Sequence, residues 1–334
     1  MDLHYSSDGI YIPDIDLWLD PQVSKPACWI SHAHSDHARD YSTTVFGTPV
    51  SLEVYRLRWP AIASQNQSLQ PLPYGHSCVR NGATLTCLPA AHIVGAAQLL
   101  VEFKGERLLY TGDIKRREPI CGVLTEIVPC DHLILESTFG LPVYHFLSRQ
   151  EAMAEIVNFA KECLEDGATP AFFGYPLGRG QEVTYALTQA GIRTAVHGAI
   201  AKYLSIYEQN GYSFPGWEPY DAKQVQGRAL VVVPGMRRVL EATGKDIRIA
   251  YVSGWARLDN ARTRSGAEKL IPYSDHAGFD ELLEIVEGSR PSRIDIIHGY
   301  TEVFAKTLCD RGWNASSPAT ARTRDTQEEA LAEE

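Results

Sequence analysis

The apolar positions of this chain change period along its length. Over roughly the first 140 residues they fall in short runs at 10–12, 17–19, 27–30, 84–88, 98–103, 107–111 and 133–136. Glycine, proline or small polar residues bound each run, which predicts strands joined by turns. At Ser148 the pattern becomes helical. Ser148 and Glu151 have capping-box spacing, and Met153, Ile156, Val157, Ala160, Cys163 and Leu164 recur at helical spacing up to Gly167. Strand and helix signals then alternate, with strands at 171–174, 194–196, 229–233 and 247–252 and helices at 181–189 and 200–209. A helix at 279–286, a strand at 293–297 and a helix at 302–309 complete the pattern. This order predicts an α/β protein in which a βα-alternating segment interrupts a strand-rich one. The implied boundaries are 1–168 and 247–312 for the two parts of the interrupted domain, 169–246 for the insert, and 313–334 for a disordered tail.

Composition narrows the setting. The chain has 334 residues, 44% hydrophobic and 22% charged, as an ordinary globular protein does. No apolar run approaches the ~20 residues of a membrane span, and the first residues do not read as a signal peptide. A cytoplasmic protein without a membrane partner is therefore expected. The seven cysteines are odd in number and contain no C-x-x-C pair, which favours reduced thiols over disulfides or a cysteine zinc site. A net charge of −10 argues against indiscriminate nucleic-acid binding. The charge is uneven, however: Lys and Arg outnumber Asp and Glu between Arg228 and Leu270, leaving room for a local basic face.

Candidate chemistry begins with His32, His34, Asp36 and His37, an H-x-H-x-D-H run placed where the apolar segment 27–31 ends. Three imidazoles and a carboxylate this close need hydrogen-bond or metal partners if buried. His92, Asp113 and His298 also follow apolar runs at strand-to-loop junctions. Each alone reads as a structural residue, as His4, His76, His132 and His145 do. Together they read as nitrogen and oxygen ligands without thiolate, a set that suits Zn²⁺ or Mn²⁺.

The H-x-H-x-D-H run, His92, Asp113 in Thr-Gly-Asp and Asp20 in Leu-Trp-Leu-Asp-Pro resemble the motifs of the metallo-β-lactamase fold. Glu136 in Leu-Glu-Ser-Thr, His276 in Ser-Asp-His-Ala-Gly and His298 in Ile-His-Gly resemble three further motifs of its β-CASP nucleases. Tyr175–Glu182 is similar to the segment by which those nucleases enter a helix of their inserted domain. The resemblance spans roughly residues 8 to 310. It implies an αββα metallo-β-lactamase sandwich with an inserted β-CASP α/β domain. Within the family the chain looks most like the bacterial ligase-associated DNA exonucleases, which are related to Artemis.

The resemblance also implies two divalent ions, Zn²⁺ or Mn²⁺. His32, His34 and His92 would hold one, Asp36, His37 and His298 the other, and Asp113 would bridge them. Asp36 would serve the chemistry as well as the metal, and Asp20 would orient the ligands by accepting an imidazole N–H. His276, placed by Glu136, would protonate the leaving oxygen of a phosphodiester. Arg179 with the backbone N–H groups at Gly178 and Gly180 would hold a neighbouring phosphate, as would Arg237 and Arg238; the alternative is that the two glycines make a tight strand-to-helix turn with Arg179 in a domain-interface ion pair. The implied substrate is single-stranded or frayed DNA, with a DNA ligase and a helicase as functional partners. One departure points the other way, since DNA-directed members often lack a histidine where this chain has His298. An RNA-processing nuclease of 3′-end-maturation or RNase J type is thus the main alternative. A small-molecule metallo-hydrolase and a catalytically inert scaffold come after it.

Overall fold

In the computed structural model the described residues are 1–39, 42–60 and 67–318. They divide into two compact units. The first comprises Met1–Arg117, Gly122–Pro142 and the described residues from His276 onward; the second comprises Glu118–Cys121 and Val143–Asp275.

Two sheets build the first unit. One runs in chain order through β1 (His4–Ser6), β2 (Gly9–Ile12), β3 (Leu17–Leu19), β4 (Ala27–Trp29), β5 (Thr44–Gly47) and β6 (Ser68–Pro71). It is antiparallel up to β3 and parallel from β3 to β6. The other contains β7 (Ser77–Arg80), β8 (Ala83–Pro89), β9 (Ala97–Phe103), β10 (Glu106–Tyr110), β11 (His132–Ser137), β18 (Arg293–Gly299) and β19 (Ala315–Ser316), in the order β19-β18-β11-β10-β9-β8-β7. Their inward faces share one apolar core, to which Ile12, Leu17 and Trp29 contribute from one sheet and Leu85, Leu99, Val101, Leu108 and Ile134 from the other. Each such side chain stabilises the fold by about 1.5–3 kcal/mol relative to exposure. Because β10, β11 and β18 are mutually parallel, their carboxyl ends come to one edge. Asp113, Glu136 and His298 lie at that edge.

Toward the amino ends of β11 and β18 lies a buried polar network. Asp295, fully buried, accepts hydrogen bonds from Tyr5 Oη (2.6 Å), His132 Nε2 (2.8 Å), Ser316 Oγ (2.9 Å) and Arg293 Nη2 (3.0 Å). Burial disfavours its charge, but the bonds from His132 and Tyr5 outweigh burial and hold this carboxyl far below the usual range.

The second unit has one parallel sheet, ordered β14 (Trp217–Pro219), β13 (Thr194–Val196), β15 (Ala229–Val232), β12 (Thr169–Phe173), β16 (Ile247–Val252) and β17 (Lys269–Ile271). The helix Arg149–Glu165 begins at the expected capping box, with both reciprocal bonds present. It packs against β12 and so belongs to this unit. The insert therefore extends well beyond the expected 169–246. The strand at 247–252 pairs along β12, which gathers everything from Val143 to Asp275 around one sheet. Residues 118–121 join it too: the Ile120 N–H is shared by Glu182 Oε1 (3.1 Å) and Tyr273 Oη (2.9 Å). The helix expected at 200–209 is divided into Gly198–Ala201 and Leu204–Gln209. Most of the expected tail, 319–334, lies outside the described residues, whereas Ala315–Ser316 pairs with β18. Among the described residues no helix is long and apolar enough to cross a membrane.

Candidate metal centre

The loop after β4 carries the H-x-H-x-D-H run, and its first member is fixed by hydrogen bonds that extend back to β3. Asp20, just past β3, accepts from the Ser31 N–H (2.7 Å), Ser31 Oγ (2.5 Å), Tyr110 Oη (2.7 Å) and His37 Nδ1 (2.7 Å). Ser31 has one hydroxyl proton and gives it to Asp20. The 3.0 Å bond between Ser31 Oγ and His32 Nδ1 must then be donated by the imidazole. His32 is left with the Nε2 lone pair facing inward. The same argument, applied to the His37–Asp20 bond, leaves His37 Nε2 facing inward. Asp20 accepts an imidazole N–H, as the resemblance implied.

His32 Nε2 lies 3.0 Å from His34 Nδ1, which lies 3.1 Å from His92 Nε2. Asp113 Oδ2 is 3.6 Å from the first and 3.8 Å from the last. The ligand atoms of all four residues lie within 4.8 Å of one another, and all four residues are buried. Ligands held about 2.0–2.1 Å from a common ion stand about 3.0–3.4 Å apart, so the cluster has the dimensions of a coordination shell. Nor can three inward-facing nitrogens satisfy one another without a proton or a cation between them. The residues therefore fit a divalent metal.

Electrostatics point the same way. Burial, reinforced by repulsion from His37, His92 and His34, pushes the His32 imidazolium well below its ordinary value and keeps the ring neutral. Burial opposes charge at His37 too, yet there the carboxylates of Asp113, Asp36 and Asp20 prevail and hold the imidazolium well above its ordinary value. Asp113 and Asp36 remain ionised against desolvation, each held low chiefly by His37. A pocket that keeps His32 neutral and its carboxylates ionised, and draws a proton onto His37, is one that favours positive charge.

Asp36 Oδ2 and Asp113 Oδ2 each lie 3.4 Å from His37 Nε2, and the His298 ring centroid is 5.4 Å from that of His37. The second expected ligand set is thus gathered around His37, more loosely than the first. Asp20 (φ +40°), Ala91 (φ +53°) and His298 (φ +54°) are all non-glycine residues in left-handed backbone, a strain that recurs at functional sites. Gly112, at φ +55°, is dictated by space as well: a β-carbon there would lie 2.3 Å from Ser31 Cβ.

His276 opens the returning part of the first unit. Its Nδ1 donates to Glu136 Oε1 at 2.8 Å, and its Nε2 stands 4.0 Å from Asp113 Oδ2. Glu136 is fully buried and also accepts the Ile114 and Thr138 N–H groups (2.9 and 3.1 Å). Desolvation raises its pKa, but the His276 charge and hydrogen bond bring it below its ordinary value. The expected pairing of these two residues is present in the structure.

Most of the groups expected to hold phosphate have partners within the protein. Arg179 is 4% exposed, with its guanidinium bonded to Asp275 (2.9 Å) and the Tyr273 carbonyl (2.6 Å). The Gly178 N–H is taken by Gln181 Oε1 (2.7 Å), and the Gly180 N–H by the Tyr175 carbonyl (2.9 Å). These bonds hold a buried turn, in which Arg179 Nε lies 3.6 Å from Glu182 Oε2. Arg237 Nε pairs with Glu241 at 2.8 Å, and Arg238 is exposed on the same short helix. Sequence reasoning missed Ser31 and Tyr110, the two donors that fix Asp20. Nothing in the sequence separates Tyr110 from an ordinary core tyrosine.

No family model matches the chain. It is 33% identical over 320 residues to a probable DNA ligase of Opitutus terrae, covering 92% of this chain and 30% of that protein. Over 209 residues it is 28% identical to the cleavage and polyadenylation specificity factor subunit 3 of Dictyostelium discoideum, covering 53% and 25% of the two chains. Over 294 residues it is 27% identical to the human DNA cross-link repair 1A protein, covering 80% and 28%. The chain thus spans less than a third of the length of each of these relatives. Among solved structures, a protein of unknown function from Enterococcus faecalis superposes with a TM-score of 0.60 at 13% identity, over 88% of this chain and 80% of that one, a likeness of fold.

Proposed function

The chain belongs to the β-CASP nuclease family of the metallo-β-lactamase fold, and from that premise we propose that it is a metal-dependent DNA exonuclease acting in repair alongside a ligase. The observation that carries this reading is the placement of His276. With Nδ1–H committed to Glu136, the imidazole presents Nε2 beside Asp113 and the three-histidine cluster. A phosphodiester releases an alkoxide unless a proton is delivered as the bond breaks, and a carboxylate-held histidine delivers one near neutral pH. A thioester or lactone hydrolase on the same fold has no need of that acid.

Two divalent ions, Zn²⁺ or Mn²⁺, at His32, His34 and His92 and at Asp36, His37 and His298, with Asp113 between, would supply Lewis-acid polarisation and a water of lowered pKa. The protein's own part is to hold the ligands before any ion arrives. Asp20 fixes the His37 ring directly and the His32 ring through Ser31. Glu136 fixes the tautomer of His276 and keeps Nε2 available for the proton.

DNA is favoured as substrate because the relatives named for DNA ligation and DNA cross-link repair match 92% and 80% of this chain, against 53% for the polyadenylation factor. A match to part of a longer protein named as a ligase also supports a ligase as functional partner. A helicase partner and a cytoplasmic location rest on the family likeness alone. End-labelled single strands of identical sequence, one DNA and one RNA, incubated with the protein in Mn²⁺ or Zn²⁺, test the reading. Progressive shortening of the DNA is expected, with loss of activity in Asp113→Asn and His276→Ala. Cleavage of RNA alone would overturn it.

A further inference from the structure

The second unit contains a cavity of about 400 Å³ lined by Phe173, Tyr251, Trp255, Arg237, Arg264 and Asn260, among others. Its place in the fold is informative. Phe173 ends β12, Pro234 follows β15, and Tyr251 and Trp255 lie at the end of β16 and just beyond it. These three strands are adjacent and parallel, so the cavity lies outside their carboxyl ends. The chain leaves β12 toward β13 on one side and later crosses to β16 on the other. The cavity therefore sits where the strand order reverses, the position at which open parallel sheets bind ligands.

Its walls combine two chemistries. Phe173, Tyr251 and Trp255 are 2%, 5% and 7% exposed, a rigid aromatic lining. Arg237 and Arg264 add two guanidinium groups. Arg237 uses Nε on Glu241, and its guanidinium plane lies over Gly266, where a β-carbon would come within 2.1 Å of Cζ and Nη1. The glycine makes room for the arginine. Aromatic side chains and two guanidiniums lining one cavity match a base attached to a phosphate, and the volume suits one such unit.

We propose that this cavity binds one nucleotide unit, its base against the aromatic wall and its phosphate at Arg237 and Arg264. The inference deepens the nuclease reading by giving the inserted unit a nucleotide subsite of its own. The test is calorimetric titration of the full chain with dAMP, deoxyadenosine and inorganic phosphate, with tryptophan fluorescence recorded in parallel. The expected result is that dAMP binds at least tenfold more tightly than either fragment. Arg237→Gln and Arg264→Gln, checked for unchanged melting temperature, should each weaken it about tenfold. Trp255→Phe should remove the fluorescence change while keeping most of the affinity. Equal affinity in the wild type and both arginine variants, or no dAMP binding at all, would overturn the inference. Competition by a single-stranded ten-mer in the His276→Ala background would show that the unit belongs to a strand; binding of dAMP without such competition would show a free nucleotide. Cleavage without dAMP binding defeats this inference alone, and dAMP binding without cleavage defeats only the nuclease reading.

Discussion

Replacing Gly112 by alanine asks whether backbone geometry one residue before Asp113 sets up the metal centre. Two separable penalties apply. The first is conformational, since an L residue in the left-handed region costs about 1–2 kcal/mol. The second is steric. The new β-carbon would stand 2.3 Å from Ser31 Cβ and 2.5 Å from Ser31 Oγ, whereas carbon atoms in contact ordinarily lie about 3.5–4.0 Å apart. The two segments must part by more than about 1 Å, adding about 1–3 kcal/mol of overpacking. Ser31 bonds both Asp20 and His32, and Gly112 is joined to Asp113, so this displacement falls on the ligand set. A misplacement of about 1 Å at a reacting centre costs about 100-fold in rate. Gly105→Ala is the control. Gly105 has φ +83° and nothing within 4 Å of its hypothetical β-carbon, so it carries the first penalty without the second. Thermal melting, Zn²⁺ or Mn²⁺ titration by calorimetry, and strand cleavage should be measured for both variants. Gly105→Ala should lose about 1–2 kcal/mol of stability and keep metal affinity and rate. Gly112→Ala should lose more stability, at least tenfold in metal affinity and about 100-fold in rate. Metal affinity within threefold of the wild type in Gly112→Ala would refute the reasoning.

Three further outcomes are expected. His276→Ala should lower kcat by about 100-fold or more while KM changes little, because the ring serves the breaking bond rather than the bound strand; an unchanged kcat in steady-state cleavage would exclude it as the acid. Added Zn²⁺ or Mn²⁺ should raise the melting temperature, by about 2.7 kcal/mol of stabilisation at 100 times Kd, and His92→Ala should blunt the rise; scanning calorimetry with and without chelator decides it. Asp295 has its folded pKa depressed, so its contribution is complete above the ordinary carboxylate range and fades as pH falls through the folded value. Stability from urea denaturation should therefore drop as pH falls below about 4, and Asp295→Asn should flatten the slope there by up to about 1.4 kcal/mol per pH unit; equal slopes would show that the network does not carry the effect.

The chemistry was more legible in the sequence than the architecture around it. Metal-ligand types are few and must sit where strands stop, so His32, His34, His92 and Asp113 could be picked out from residue type and the ends of apolar runs. Glu136 and His276, 140 residues apart, could be paired only through the family likeness. Domain boundaries were less legible because a strand's sheet is chosen by pairing partners: nothing local in 247–252 shows that it lies beside Thr169–Phe173. Arg179 is open to two readings for a related reason. An arginine between two glycines at a helix start reads as an anion site or as part of a buried turn, and its bonds to Asp275 and the Tyr273 carbonyl come from residues almost a hundred positions away. The helix Pro49–Arg58 went unread although Thr48 caps it and Pro49 begins it, a start signal plain in the sequence.

The four residues 118–121 have a consequence for how such a protein can be rearranged. A module inserted at a single point has one entry and one exit, and can be lost or exchanged by one deletion. Among the described residues the backbone passes between the two units at 117/118, 121/122, 142/143 and 275/276. Removing 143–275 would strand the Ile120 N–H without Glu182 or Tyr273, and transplanting that stretch alone would leave those two acceptors without their donor. The second unit is therefore heritable only together with a small piece of its host's own sequence. Recombination that respects the apparent insertion point should yield poorly folded chimeras, whereas exchanges that carry 118–121 along should not.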